Sequence, residues 1–110
     1  KQHAEKHYED LAQKPFFPSL VTYFTSGPVV ALVFEGTNVI NMGRKLVGAT
    51  NPADALPGSV RGDFCQETGR NIIHASDAPE SAAAEIQLWF KDSEVNNYEL
   101  PTAKWISEKA

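Results

Sequence analysis

One histidine stands where the sequence predicts that a strand ends and a helix begins. Asn71-Ile72-Ile73-His74 is predicted to be a short strand, and residues 76–80 are typical of a helix start, with Pro79 in its first turn. Unpaired N–H groups at a helix start favour an anion, so a nucleophilic His74 could accept a phosphoryl group there. Glu85 lies eleven residues further on, where it could fix the imidazole tautomer. The alternative is a structural histidine beside an ordinary helix cap.

Three arginines are candidates for binding phosphate, because the guanidinium group matches phosphate oxygens with two donors and keeps its charge. They are Arg44, Arg61 and Arg70, and the last two lie in a segment rich in glycine and proline. Most arginines in proteins are simply solvated, and that alternative stays open here.

Two aromatic residues, Phe16 and Phe17, lie between Pro15 and Pro18. An exposed aromatic ring at this place could stack on a nucleobase. Core packing is the alternative, and we expect it for at least one of the two.

Several standard sites are absent from the sequence. There is no GxxxxGK[ST] phosphate loop, no GxGxxG fingerprint and no GxSxG nucleophile elbow. The histidines and Cys65 lack the spacing of a zinc site. From the residues alone, the chain indicates a phosphate site and nothing more specific.

Alternating helices and strands must position these groups. Hydrophobic spacing predicts helices over residues 3–13, 19–25 and 38–47, the last capped by Asn38, and a helix ending near Lys91 that starts from a capping box of Asp77 and Glu80. The apolar run Val29–Phe34 predicts a central strand covered on both faces. Residues 48–70 show no regular period, which in a small domain indicates a functional loop, a contact between subunits or disorder.

Composition limits the class of protein. The 110 residues support one domain, with ordinary globular content of 42% hydrophobic and 22% charged residues. A net charge of −4 disfavours nucleic-acid binding, and the longest apolar run is far too short to span a membrane. A single cysteine favours an intracellular protein, so we expect a cytoplasmic location. The chain does not begin with methionine, so organellar targeting stays open.

The sequence resembles the nucleoside diphosphate kinases. The stretch NIIHASDAPESAAAEIQLWF is similar to the family signature around its histidine, and further similarity runs through HYEDL, PFFPSLVTYFTSGPVVALVFEG and GRKLVGATNPADALPGSVRGDFC. The resemblance covers essentially residues 1–110 as a single domain. It implies an enzyme in which a nucleoside triphosphate with Mg²⁺ phosphorylates the histidine, which then passes the group to a nucleoside diphosphate.

The resemblance also assigns roles residue by residue. His74 matches the phosphorylated histidine, Glu85 the glutamate that orients it, and Ser76 and Tyr8 match residues beside it. The nucleotide-binding positions of the family match Arg44, Thr50 and Arg61 for the phosphates, Asn71 for the ribose, and Phe16 and Thr68 for the two faces of the base. No metal ligand is implied, because phosphates would carry the Mg²⁺.

Two departures accompany the resemblance. Ala75 stands where the family usually has glycine, and its methyl group could crowd the phosphate or disfavour a required backbone angle. The family fold is α+β and ferredoxin-like (βαββαβ), and the first strand, first helix and second strand, with the lysine of a Lys-Pro-Asp motif, have no match here. We therefore expect a longer polypeptide or an assembly to supply those strands, and no stable kinase from a free monomer.

The resemblance implies further partners. They are ATP, GDP and other nucleotides and a homo-oligomer, either a tetramer or a hexamer in which residues 48–70 make contacts. No membrane partner is expected. The competing interpretation is a catalytically impaired interaction or regulatory protein on the same fold.

Overall fold

Helices make up the regular structure of the chain. A computed structural model describes residues 1–108. Its α-helices are α1 (Gln2–His7), α2 (Phe17–Phe24), α3 (Val39–Val47), α4 (Val60–Phe64), α5 (Pro79–Trp89) and α6 (Ala103–Ile106). Short 3₁₀ helices cover Glu9–Leu11, Pro52–Asp54, Thr68–Arg70 and Asp92–Glu94. The four helices predicted from hydrophobic spacing are present, although the first is interrupted at Tyr8 and continues as a 3₁₀ turn.

The helix starts differ in detail from the prediction. Asn38 does precede α3, but its side chain makes no cap bond and instead accepts a hydrogen bond from the Asn41 amide at 2.9 Å. The predicted capping box at α5 is wrong, because the N-cap residue is Ala78. The Asp77 carboxylate accepts a hydrogen bond from the Ser81 hydroxyl at 2.6 Å, one turn into the helix. The Asp77 carboxylate, which was expected to accept a backbone N–H at the helix start, is therefore hydrogen-bonded to the Ser81 side chain instead.

Helix packing brings the start of the chain against α5. α1 packs against both α2 and α5, and α3 packs against α4. Ala4 of α1 and Val21 of α2 are buried in the first group, and Val47 of α3 is buried in the second. The contact between α1 and α5 places the end of α1 beside the C-terminal half of α5, about eighty residues away in sequence.

The predicted strands do not form. Within residues 1–108 the only β-type pairing is an isolated bridge between Pro57 and Ser59. Residues 29–34 have no regular secondary structure and make no backbone hydrogen bond to another described segment, and Val30, Leu32 and Phe34 are exposed. The prediction of a central strand covered on both faces is therefore wrong for this chain. A strand exists only when a neighbour pairs with its backbone groups, and the apolar run alone cannot supply one.

The segment 48–70 is more ordered than its lack of period indicates. Ser59 caps α4 by accepting a hydrogen bond from the Gly62 N–H, and Asn51 accepts one from the Ala53 N–H. α4 packs against the 3₁₀ turn Pro52–Asp54 and against α3, so the segment folds onto the helices. None of the helices in residues 1–108 is both long and apolar enough to cross a membrane.

Candidate active site

His74, Glu85 and Ser76 form the centre of the site. The His74 Nε2 lies 2.5 Å from the Glu85 Oε1, and the Ser76 hydroxyl donates a hydrogen bond to the Glu85 Oε2. The His74 side chain is 38% exposed and that of Glu85 is 21% exposed, so nucleotide could reach the histidine while the carboxylate stays mostly covered. Because Glu85 occupies Nε2, the nitrogen available for attack is Nδ1.

The backbone immediately before His74 is tightly turned. The Ile73 N–H donates to the Asn71 carbonyl at 2.6 Å, closing a three-residue turn around Ile72, whose φ is 56°. A β-branched residue in this left-handed region is strained, and such strain persists only where surrounding contacts impose it.

Arg61 supplies those contacts. Its Nη2 donates to the Ile73 carbonyl at 2.6 Å, its Nε to the Asn71 carbonyl at 3.4 Å and its Nη1 to the Gly48 carbonyl at 3.3 Å. The residue is only 3% exposed, and burial, followed by the charge of Arg44, lowers its pKa. In this structure Arg61 thus fastens the turn before His74.

Arg44 reaches the other side of the histidine. Its Nη1 donates to the carbonyl of Ala75, the residue directly after His74, at 2.9 Å. The positive charge of Arg44 is therefore held at the residue next to His74. Ala75 itself is not among the residues with positive φ in the described chain, so its methyl group does not oppose a left-handed backbone. The expectation of an unfavourable backbone angle at Ala75 is wrong.

Tyr8 lies next to the histidine and is half-buried. Its ring centre is 6.4 Å from that of His74 in an edge-on arrangement. Burial, with a smaller contribution from Glu85, raises the pKa of the Tyr8 hydroxyl, so the phenol stays protonated at neutral pH.

Of the remaining predicted residues, Asn71 lines the same cavity as His74, whereas Phe16, Thr50 and Thr68 do not. A cavity of about 210 Å³ is lined by Tyr8, Asn71 and His74, among others, but not by Arg44, Thr50 or Arg61. Phe16 is 52% exposed while Phe17 is half-buried, in line with one exposed and one packed ring. Thr50 and Thr68 are exposed. The guanidinium of Arg70 stacks on the Tyr23 ring at 4.7 Å rather than facing His74.

Two residues of the site were not predicted from the sequence. The Trp89 indole N–H donates to the His7 Nδ1 at 3.1 Å, and the His7 and His74 ring centres are 4.4 Å apart. Hydrophobic spacing places His7 on the apolar face of the helix predicted over residues 3–13, and Trp89 on the buried face of the helix predicted to end near Lys91. It does not show that the two faces meet, because no local spacing relates residues so distant in sequence. The ligand atoms of His7, His74 and Glu85 lie within 4.8 Å of one another, close enough for a metal ion.

A histidine held by a carboxylate, with an arginine beside it, is an arrangement that can carry out phosphoryl transfer. Comparison with known proteins specifies the family. The family model described as nucleoside diphosphate kinase matches residues 1–95. The nucleoside diphosphate kinase of Drosophila yakuba is 57% identical over 108 residues, which are 98% of this chain and 72% of that protein. Nucleoside diphosphate kinase B of Mus musculus is 55% identical and covers 98% of this chain and 71% of its own length.

Solved structures agree with the sequence comparisons. The nucleoside diphosphate kinase of Halobacterium salinarum in complex with CDP superposes with a TM-score of 0.92 at 40% identity, covering 96% of this chain and 71% of that one. A nucleoside diphosphate kinase family protein from Babesia bovis gives a TM-score of 0.91 at 38% identity, with 96% and 72% coverage. The chain belongs to the nucleoside diphosphate kinase family. Its backbone superposes on those of these relatives although its described residues form no β-sheet.

Proposed function

We propose that this chain acts as a nucleoside diphosphate kinase in which His74 carries the phosphoryl group between two nucleotides. The observation that carries the proposal is the contact between the His74 Nε2 and Glu85, with Ser76 on the second carboxylate oxygen. This contact fixes the proton on Nε2 and leaves the Nδ1 lone pair for attack on phosphorus.

The reaction has two balanced steps. In the first, the Nδ1 of His74 attacks the terminal phosphorus of a nucleoside triphosphate, and the bond to the leaving oxygen breaks to release a nucleoside diphosphate. In the second, the terminal oxygen of another nucleoside diphosphate attacks the same phosphorus, and the electron pair of the N–P bond returns to Nδ1. Throughout both steps the proton stays on the His74 Nε2 and is hydrogen-bonded to Glu85. The histidine therefore returns to its starting protonation state.

We assign the phosphate contacts to Arg44, Thr50 and Arg61. Phosphoryl transfer depends mostly on positioning and on charge stabilisation, which arginines supply. The hydrogen bond from Arg44 to the Ala75 carbonyl supports its part, because it holds positive charge beside His74. Arg61 has its donors on carbonyl oxygens here, so contact with phosphate would require it to exchange at least one of them.

We assign nucleoside binding to Phe16, Thr68 and Asn71. The exposed ring of Phe16 offers a face for a base, and stacking does not distinguish between bases, so ATP, GDP and other nucleotides would all be accepted. The CDP complex of the Halobacterium salinarum relative supports a nucleotide ligand.

The required divalent ion, in our proposal Mg²⁺, enters as part of the nucleotide substrate. Mg²⁺ prefers an octahedron of oxygen ligands, commonly including phosphates and water. The His7, His74 and Glu85 cluster offers two nitrogens and one carboxylate, which does not fit that preference. We further propose a cytoplasmic homo-oligomer, a tetramer or hexamer, whose subunit contacts include residues 48–70.

Labelling tests the function directly. The protein incubated with γ-labelled ATP and Mg²⁺ should acquire acid-labile label, and GDP should remove it onto the nucleotide. His74→Ala should abolish the label, whereas the matched variant His3→Ala, on an exposed histidine of α1, should keep it. A folded protein that takes up no label would instead support the interaction or regulatory role.

A further inference from the structure

The environment of His7 determines which of its nitrogens carries the proton. Its side chain is 4% exposed, and its Nδ1 accepts the hydrogen bond from the Trp89 indole. An indole N–H can only donate, so the His7 Nδ1 must be the acceptor. Burial, and then the neighbouring His74, lowers the pKa of His7, which keeps the ring neutral at neutral pH. A neutral imidazole has one proton, and it must therefore lie on Nε2.

That Nε2–H is buried without a hydrogen-bond partner within the described residues. The Glu85 Oε1 lies 3.8 Å from it and is the same oxygen that contacts His74. This separation is too long for a hydrogen bond, but a shift of less than 1 Å would form one. Hydrogen bonds of catalytic groups are often long without substrate and shorten in the reacting complex.

We propose that His7 is a positioning residue whose Nε2–H, fixed by Trp89, donates to Glu85 while His74 carries the phosphoryl group. This inference rests on the proposed kinase function and adds a residue to its machinery. With His7, the Glu85 carboxylate has three donors, the others being Ser76 and His74. Each donor lowers the basicity of the carboxylate, so the shared proton stays on the His74 Nε2.

The location of that proton matters most when the phosphoryl group leaves. As the N–P bond breaks, its electron pair returns to the His74 Nδ1, and a ring that keeps its Nε2 proton is the better leaving group. If the proton moves to Glu85, the ring must leave with greater negative charge. Loss of the His7 donor should therefore slow transfer of the phosphoryl group from His74 to the nucleoside diphosphate, which we call discharge, more than it slows formation of the phosphohistidine.

The same tautomer argues against a metal ion on this cluster. A metal at the His7 Nε2 needs the lone pair there, which would place the ring proton on Nδ1. The Trp89 indole already points its own hydrogen at that nitrogen, and two donors cannot face each other.

Variants of His7 and its neighbours separate these effects. His7→Phe keeps an aromatic ring and removes the donor, and His7→Gln restores an N–H near the Nε2 position. Trp89→Phe removes the N–H that His7 Nδ1 accepts, so the His7 proton could lie on either nitrogen. His3→Phe is the matched control, because His3 is also on α1 and its ring centre is 5.2 Å from that of Trp89. The titratable groups that face His7 are Tyr8, His74 and Glu85, and all four variants retain them.

Three measurements give the result. Rapid-quench single-turnover rates should show phosphoryl transfer to GDP slowed roughly tenfold in His7→Phe, the size of effect seen when a group that orients a functional side chain loses its own hydrogen-bond partner. Label formation should slow less, His7→Gln should recover most of the discharge rate, and His3→Phe should match the parent. The pH profile of discharge should change in His7→Phe but not in His3→Phe. Nitrogen-15 NMR of the parent should show the His7 proton on Nε2, and Trp89→Phe should reduce that preference.

Two outcomes would overturn the proposal. One is a His7 proton on Nδ1 in the parent protein, a measurement that stands even if His7→Phe fails to fold. The other is discharge by folded His7→Phe at the parental rate across the pH range. Inhibition by Zn²⁺ alone that disappears in His7→Phe would favour a metal site instead. A parent protein without acid-labile label would contradict the kinase function itself, while the NMR result would still report on the tautomer.

Discussion

At the scale of single residues, Arg61 has the largest structural role in the site. Three of its donors reach carbonyl oxygens in two separate segments, and it fixes the strained turn before His74. Lysine has one compact ammonium group and cannot span the same three acceptors. Removing part of such a buried, charge-assisted arrangement leaves carbonyl groups unsatisfied.

We therefore expect Arg61→Lys to lower the free energy of unfolding by about 2–4 kcal/mol, the range for breaking buried charged hydrogen bonds. Arg70→Lys is the matched control, because Arg70 is exposed and has only its stack on the Tyr23 ring to weaken, so it should change stability by under about 1 kcal/mol. Urea denaturation followed by circular dichroism measures both. Equal stability of the two variants would show that the Arg61 contacts are not formed in solution.

The same residues show what sequence can predict of a site. His74, Ser76 and Glu85 lie within twelve consecutive positions, so the short segment that leads into α5 and the first turns of that helix are enough to bring them together. The Trp89 contact with His7 joins residues 82 positions apart. The Arg61 contacts span only 10 to 13 positions, but they end on backbone carbonyl groups, which every residue type presents. Such contacts depend on how helices pack, and no local pattern encodes them.

At the scale of elements, the helices were predictable and the strands were not. A helix satisfies its backbone within its own segment, so hydrophobic spacing and proline positions predicted α2 and α3 closely. A strand needs a partner elsewhere, and residues 29–34 have none within residues 1–108. A continuous apolar run shows only that the segment is suited to burial.

Two valines allow this contrast to be measured. Val21 is 5% exposed in α2, whereas Val30 is 85% exposed in the unpaired segment 29–34. Val21→Ala should cost about 2 kcal/mol of unfolding free energy through lost burial, and Val30→Ala in the dilute protein should cost under about 0.5 kcal/mol. Chemical denaturation at low protein concentration tests the pair. A cost at Val30 equal to that at Val21 would mean that the segment is buried even in dilute solution.

At the scale of the whole molecule, the chain covers little of its own apolar surface. It exposes 8934 Å², whereas a folded monomer of its mass, 12.1 kDa, exposes about 6,000 Å². Its radius of gyration is 15.8 Å, compared with about 13 Å for a compact domain of this length. The exposed residues include a continuous apolar group, namely Val29, Val30, Leu32, Val33 and Phe34. A surface of this kind is typical of a contact with another polypeptide.

We therefore expect the stability of this protein to depend on its concentration. If copies cover residues 29–34, dilution exposes them, and mass action lowers the melting temperature. The variant Leu32→Lys should dissociate at higher concentration than the parent, because a charge on an apolar contact must be desolvated. Sedimentation velocity and thermal melts over a hundredfold dilution provide the test. Lys45→Glu, at an exposed position of α3, is the control for a change of charge. A monomer whose melting temperature is the same at every concentration would contradict self-association. If the backbone amides of residues 29–34 were protected from hydrogen exchange in that monomer, the chain would be covering this segment by itself.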